Sequence, residues 1–160
     1  MVDKVLFSSK REDWETPQDF FDRLDAEFHF TLDAAASPEN AKCEHYYTKE
    51  DDALTLLGEH RIWPGRVWCN PPYTKDWRVT YDFVRTGYES SLFGATVVML
   101  LAARTDTQWF HDYAMNAAEI RFVKGRLQFV GGESKATFPS VVLVFKPGKH
   151  ELKVTSYERP

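Results

Sequence analysis

The chain has 160 residues, of which 43% are hydrophobic, and a formal net charge of −4 at pH 7. This length suits one domain with a core of its own, and the composition is that of an ordinary globular protein. The longest apolar run, residues 95–103, is too short to span a bilayer. Because the chain has no signal-peptide pattern and only two cysteines, we expect a cytoplasmic protein that binds no membrane.

The charge is unevenly distributed along the chain. Residues 1–60 contain six Lys and Arg against 15 Asp and Glu, a net charge of −9. Residues 61–160 contain 14 against nine, a net charge of +5. A nucleic acid would therefore meet the later part of the chain, while the acidic part faces away from it.

The first predicted element is a helix near the N-terminus. Residues 1–13 are polar, and we expect them to be loosely ordered. Thr16 is predicted to cap the helix, with Pro17 at its first position. The helix should extend to about residue 27, since aromatic and aliphatic residues recur there at helical spacing.

Two short strands are expected next, over residues 30–35 and 43–48. The first ends in Asp33 and is followed by a run of small residues. Pro38 to Lys42 leaves room only for a turn or a very short helix between the two strands.

A further strand ends at Cys69 and leads into Asn70-Pro71-Pro72-Tyr73. Prolines cannot continue a central strand, so the chain must leave the sheet here in a preset shape. A helix follows, because apolar residues recur at helical spacing from Trp77 onward. We expect the aromatic residues of this helix to pack in the core: Trp77, Tyr81 and Tyr88.

The second half of the chain alternates between strands and a helix. Residues 95–102 form a continuous apolar run, typical of a central strand that is buried on both faces. Thr105 or Asp106 is predicted to cap the next helix. Residues 119–123 and 140–145 are predicted as antiparallel neighbours, because no helical pattern separates them. The single domain should cover residues 14–147, with a C-terminal tail at 148–160.

This alternation predicts an α/β sheet with helices on both faces. Ligands of such sheets bind beyond the carboxyl ends of the strands. Three polar clusters fall at predicted strand ends: Asp33, residues 70–73 and residues 102–106. No metal site is expected, because Cys43, His45 and Cys69 match no common zinc spacing.

The turn after Cys69 suits a planar amino group. The side-chain oxygen of Asn70 and a carbonyl of the diproline can accept hydrogen bonds from its two protons. Because Pro71 and Pro72 fix these acceptors in advance, little reorganisation accompanies reaction. The ring of Tyr73 can stack on a nucleobase that has been extruded from a duplex.

The chain resembles the phage and prophage DNA N6-adenine methyltransferases of the Dam type. The ordered motifs that carry this resemblance are residues 14–17, 32–33, 40–43, 47–48, 51–52, 68–73 and 103–107. The resemblance implies a compact Rossmann-like fold that uses S-adenosylmethionine, with a mostly parallel sheet and an antiparallel last strand. It also implies double-stranded DNA as the partner, and a monomer or weak dimer in the host cytoplasm.

The resemblance implies roles for the matching residues. The catalytic residues would be Asn70, Pro71, Pro72 and Tyr73. The cofactor would contact Trp14, Thr16, Pro17, Asp33, Ala34, Asp51 and Asp52, with Thr16 and Pro17 at its methionine end and Asp33 near its amino group. The candidate DNA-binding residues are Lys75, Arg78, Arg104, Lys124 and Arg126, since Arg is the commonest reader of guanine edges.

The sequence departs from the broader methyltransferase pattern in one place. The glycine-rich turn that usually follows the first strand is replaced by Asp33-Ala34-Ala35-Ala36. The tetrapeptide also occurs in methylases of RNA and of protein glutamine, so these acceptors are alternatives. A non-catalytic phage DNA-binding module that has lost its cofactor is a third.

Overall fold

The structure is a computed structural model that describes residues 14–160. The prediction for residues 1–13 lies outside the described part. The helices are α1 (Gln18–Phe28), α2 (Trp77–Leu92), α3 (Gln108–Asp112) and a 3-10 turn at Ala114–Asn116. The strands are β1 (Leu32–Asp33), β2 (Thr55–Leu56), β3 (Glu59–His60), β4 (Arg66–Cys69), β5 (Thr96–Ala102), β6 (Glu119–Val123), β7 (Ser140–Phe145) and β8 (Lys153–Tyr157).

Six of these strands form one sheet in the order β1-β4-β5-β7-β6-β8. β1, β4 and β5 are parallel, and β7 is antiparallel to both of its neighbours, β5 and β6. β2 and β3 form a separate antiparallel hairpin. The predicted mostly parallel, Rossmann-like α/β fold is confirmed. The antiparallel strand is β7, which is not the last strand as predicted, because β8 follows it and pairs in parallel with β6.

The helices cover both faces of this sheet. α1 buries Phe20, Phe21, Leu24 and Phe28 in a cluster with Trp68 and the alternate residues of β5 and β7. α2 and α3 pack on the opposite face. β5 and β7 are almost wholly buried, since they lie at the centre of the sheet with helices on either side.

Pairing register brings the functional candidates to one edge of the sheet. Asp33 pairs with Trp68, one residue before the end of β4. Ala102, the last residue of β5, pairs with Ser140, the first residue of the antiparallel β7. The chain therefore leaves β1, β4 and β5 at the same edge, which carries the three predicted clusters.

Two predictions near the N-terminus are wrong. Pro17 is the N-cap of α1, and the side chain of Thr16 makes no capping bond. Residues 43–48 form a single bridge between Tyr46 and Asp33 where a strand was expected. The neighbouring backbone follows β1 closely, with Tyr47 N donating to Asp33 O at 2.9 Å, but it lacks the apolar alternation that a strand packed on a core would show.

The C-terminal boundary also differs from the prediction. Residues 153–157, assigned to a tail, form the edge strand β8 and pair in parallel with β6. This strand is polar and mostly exposed, so its sequence has no core-facing pattern. The expected caps of α3 are wrong as well, because Thr107 holds that position.

Trp77 is exposed, contrary to the prediction that it packs in the core. The start of α2 lies at the edge of the sheet, and 60% of the Trp77 side-chain surface is open to solvent. The buried stripe of α2 begins only at Phe83, more than one and a half turns further along. Helical spacing alone therefore misplaced the first aromatic residue of this helix.

Candidate active site

Two adjoining cavities open at the carboxyl edge of the sheet. We call the first, of about 460 Å³, the Asp33 cavity, and the second, of about 660 Å³, the Trp77 cavity. Both volumes fall in the range of small-molecule sites. The walls shared by both cavities are formed by Trp14, Pro71, Pro72 and Thr74. The predicted catalytic turn therefore separates two compartments and borders both.

The carboxylate of Asp33 is held in the wall of the first cavity. Oδ1 accepts a hydrogen bond from Ala35 N at 3.2 Å, and Oδ2 accepts one from Lys42 N at 3.0 Å. Only 3% of the residue is exposed, and this burial raises the pKa of its carboxyl despite the two amide bonds. A cationic ligand group beside Asp33 would favour the charged carboxylate.

The amide of Asn70 has a fixed orientation and one unused acceptor. Nδ2 donates to the backbone carbonyl of Trp14 at 2.5 Å. The side-chain oxygen Oδ1 is buried and accepts no hydrogen bond within the described chain. An unsatisfied buried acceptor costs about 1–3 kcal/mol, so this oxygen is available for a donor supplied by a ligand.

Thr16, which also lines the Asp33 cavity, has an unpaired side-chain oxygen as well. The residue is 2% exposed, and its Oγ1 is buried without a hydrogen-bond partner in the described structure. Because a hydroxyl can both donate and accept, Thr16 can bond a polar ligand group of either kind.

The diproline and Tyr73 continue the turn into the Trp77 cavity. Pro71 is buried and Pro72 half-buried, so the chain leaves β4 in a restrained conformation. The ring of Tyr73 packs against Phe129 and Phe138, with centroids 5.9 and 5.5 Å away. Its hydroxyl donates to Leu100 O at 3.3 Å, and burial raises its pKa. Tyr73 is thus anchored in the core at one side and lines the cavity at the other.

The predicted cofactor residues divide into two groups. The residues that line the Asp33 cavity are Trp14, Thr16, Asp33, Ala34 and Asp52. Pro17 and Asp51 do not line it. Asp51 instead shapes the adjoining loop, where its Oδ2 accepts hydrogen bonds from Thr48 N at 2.8 Å and Thr48 Oγ1 at 3.0 Å.

The predicted DNA-binding residues lie at different distances from the cavity. Lys75 and Arg104 are exposed and line the Trp77 cavity. Arg78 is paired with Asp76, its Nε 3.0 Å from Oδ1. Lys124 and Arg126 follow the end of β6, and their backbone carbonyls accept hydrogen bonds from the Arg159 guanidinium.

Several lining residues had no role in the sequence-based prediction. Those of the Asp33 cavity include Lys42, Tyr47, Lys49, Leu54 and Phe83, and those of the Trp77 cavity include Thr80, Thr107, Gln108, Thr137 and Phe138. Phe138 could have been found, because it immediately precedes a proline and a buried strand. Thr80 and Phe83 lie on α2, and Gln108 is the first residue of α3. The others come from loops, whose course the hydrophobic pattern does not determine.

Among residues 14–160, no group of three or more His, Cys, Asp and Glu side chains is arranged to hold a metal ion. None of the helices described here is long and apolar enough to cross a membrane. Burial raises the pKa of the Cys43 thiol to about 12, so this thiol is protonated at neutral pH.

The chain matches known proteins over nearly its whole length. The family described as DNA N-6-adenine-methyltransferase (Dam) matches residues 4–159. The protein of that name from Escherichia phage T1 is 33% identical over 143 residues, 78% of this chain and 56% of its own. The protein of that name from Haemophilus phage HP1 is 32% identical over 149 residues, 87% of this chain and 81% of its own.

The chain thus spans about half the length of the phage T1 relative and most of the HP1 relative. Among solved structures, one assigned to the class I S-adenosylmethionine-dependent methyltransferases of Listeria monocytogenes has a TM-score of 0.48 and 12% identity. That similarity covers 84% of this chain and 52% of the other, and nothing is concluded from it. On the extent of the family match and of the two phage relatives, the chain belongs to the DNA N-6-adenine-methyltransferase (Dam) family.

Proposed function

We propose that this protein transfers a methyl group from S-adenosylmethionine to the exocyclic N6 amino group of an adenine that is flipped out of double-stranded DNA. One observation carries the proposal: the two cavities meet at Pro71 and Pro72, and Asn70, directly before them, lines the Asp33 cavity and has a buried Oδ1 with no partner in the described chain. Membership of the Dam family supports the choice of adenine in DNA.

The Asp33 cavity fits the cofactor. S-adenosylmethionine carries an α-amino group, a carboxylate, ribose hydroxyls and an adenine, and when bound it supplies an electrophilic methyl group. Asp33 offers a carboxylate for the amino group, and Thr16 offers a buried, unpaired hydroxyl. Asp52 and Tyr47 line the same cavity and are the candidates for the adenosine part.

The Trp77 cavity would receive the target base. Asn70 Oδ1 and a diproline carbonyl would accept hydrogen bonds from the two amino protons, which draws the nitrogen lone pair out of conjugation with the ring. Since Trp14 O already holds the Asn70 amide and the prolines hold the backbone, these acceptors need little reorganisation. Positioning of the nitrogen is therefore the main contribution of the chain's own residues to the reaction.

No residue of the turn needs to act as a strong base. The nitrogen loses its proton readily once it carries the new methyl group, and water at the open cavity can accept it. Asp76 is a weak base for this step, because hydrogen bonds from Arg78 lower the pKa of its carboxyl.

Basic side chains at the same edge would contact the DNA backbone. Lys75 and Arg104 line the Trp77 cavity, and Lys124 and Arg126 follow the end of β6. Extrusion of a base costs a few kcal/mol. Contacts between the basic side chains and the DNA phosphates, together with binding of the base in the cavity, would offset this cost.

Methyl transfer from labelled S-adenosylmethionine tests the proposal, with DNA, RNA and protein offered together as acceptors. We expect label in DNA alone, and loss of that label in Asn70→Ala. Asn116→Ala is the matched control, because Asn116 is exposed and bonds only locally to Asp112 O. Label in RNA or protein, or no label in DNA of varied sequence, would contradict the proposal.

A further inference from the structure

The start of α2 carries a large aromatic side chain that the core does not use. Trp77 is the first residue of α2 and is 60% exposed, although tryptophan usually buries most of its surface. It lines the Trp77 cavity together with Lys75 and Thr80. The stability of the fold therefore does not account for a tryptophan at this position.

The backbone and side-chain contacts hold Trp77 in place at this rim. Asp76 caps α2 by accepting a hydrogen bond from Arg78 N at 3.1 Å, and Thr74 Oγ1 accepts one from Asp76 N at 3.0 Å. The indole meets Tyr81 edge to face, with centroids 6.0 Å apart. Tyr81 is itself bonded to Asp112 and Tyr113. The exposed ring is thus pre-positioned, which lowers the entropy that binding would cost.

The other aromatic residues of the cavity are already engaged. The ring centroids of Tyr73 and Phe138 are 5.5 Å apart, and both rings also contact Phe129. Both rings pack on the hydrophobic cluster beneath α1. Trp109 is 4% exposed. Trp77 therefore offers the largest open aromatic surface among these rings, on the side of the cavity that α2 forms.

We propose that Trp77 is a positioning residue for the target, whose indole stacks on the extruded adenine at the mouth of the Trp77 cavity. This inference rests on the proposed function. Stacking of a base on an aromatic side chain is tolerant of geometry and adds affinity for an unpaired base. Trp77 would thus hold the adenine while Asn70 and the diproline orient its amino group.

The first test compares Trp77→Ala, Trp77→Leu and Trp77→Phe in methylation of a DNA site that the unaltered protein is known to modify. We expect the KM for DNA to rise about tenfold or more in the Ala and Leu variants, from the usual strength of base–aromatic stacking. Trp77→Phe should retain most of the affinity, and the KM for S-adenosylmethionine should not change. Phe93→Ala is the matched control, since Phe93 is 77% exposed at the opposite end of α2.

The second test locates the contact by direct binding of DNA to the same variants. The loss in Trp77→Ala should disappear on DNA whose target nucleotide is abasic, because no base is then present to stack. A loss that persists on abasic DNA would overturn the proposal in favour of a contact with the neighbouring duplex. Equal KM values for Trp77→Ala and the unaltered protein would also overturn it. Failure of the unaltered protein to methylate DNA would instead contradict the proposed function.

Discussion

The two cavities are built from different kinds of structure. The Asp33 cavity is lined by polar atoms that are buried and held by backbone amides or left without partners, as at Asp33, Thr16 and Asn70. The Trp77 cavity is lined by aromatic rings and by two exposed basic residues from separate loops, Lys75 and Arg104. A small charged ligand suits the first, whereas the second suits a flat base attached to a polyanion.

This difference explains why one turn can serve two substrates. Residues 70–72 directly follow β4, and two of them, Pro71 and Pro72, border both cavities, so the sheet fixes the position of this shared wall. Substitutions in the shared turn, in one cavity only, or outside both cavities should therefore change different quantities: the rate of reaction, the affinity for one ligand, or the stability of the fold.

Loss of the shared acceptor should reduce the rate more than any other single change. Asn70→Ala removes Oδ1, and we expect kcat to fall about 100- to 1,000-fold, as when one preorganised hydrogen-bonding group is removed from an active site. Binding of S-adenosylmethionine and of DNA should each change much less. Single-turnover kinetics and calorimetry measure the two quantities separately, and a normal rate in Asn70→Ala would disprove the assigned role.

Asp33→Asn should weaken the binding of the cofactor without affecting the binding of DNA. The loss of a charged hydrogen bond costs about 1.5–3 kcal/mol, so affinity for S-adenosylmethionine should fall at least about tenfold, with DNA affinity unchanged. Asp22→Asn on the exposed face of α1 is the control. An equal loss of affinity for both ligands would indicate that Asp33 supports the fold and does not bind the cofactor.

The pH dependence of cofactor binding gives a second test of Asp33. Burial raises the pKa of this carboxyl above its ordinary 3.8, so in the free protein it takes up a proton at a higher pH than an exposed aspartate does. Affinity for the cationic amino group should therefore fall as the pH decreases through that raised value. Calorimetry at several pH values should show the dependence in the unaltered protein and a flatter profile in Asp33→Asn.

Substitution of the basic residues of the Trp77 cavity should weaken the binding of DNA and leave the binding of the cofactor unchanged. Lys75→Ala and Arg104→Ala should each weaken DNA binding and reduce the slope of log K against log salt by about one. Arg78→Ala should have a smaller effect, because Asp76 already neutralises Arg78. Arg85, paired with Glu89 on α2, provides the control, and equal slopes in all four variants would contradict these contacts.

The smallest effect should come from an ion pair outside both cavities. Arg121, 8% exposed, bonds Glu27 of α1 at 2.6 and 2.7 Å, which lowers the pKa of Glu27. The stabilisation of the fold by this ion pair is fully present at pH values above 4.5, the ordinary pKa of a glutamate. It is lost as the pH falls through the lowered pKa of Glu27.

Glu27→Gln should therefore lower Tm slightly at pH 7, and the difference should narrow in acid. The free-energy loss should be less than about 1 kcal/mol, because Glu27 is partly exposed to solvent. The affinities for S-adenosylmethionine and for DNA should stay unchanged. A loss of either affinity would mean that the Arg121–Glu27 ion pair also supports one of the cavities.

The buried central strands and the point where β4 ends in the Asn-Pro-Pro-Tyr turn could be predicted from sequence because burial leaves a readable pattern. Residues 97–102 are apolar throughout, and the prolines after Asn70 end β4 at a definite place. β8 and the residues near Tyr46 could not be predicted, since they lie at the sheet edges and need no apolar alternation. Trp77 was misplaced because helical spacing does not show where a helix extends beyond the core.

The position of the transferred methyl group is the most direct test of the proposed reaction. DNA incubated with the protein and methyl-labelled S-adenosylmethionine would be digested to nucleosides and analysed by mass spectrometry. The two-cavity account predicts that label enters N6-methyladenine with the unaltered protein and with Asn116→Ala, and that it is largely absent with Asn70→Ala. Label in a cytosine, or equal label in Asn70→Ala, would contradict it.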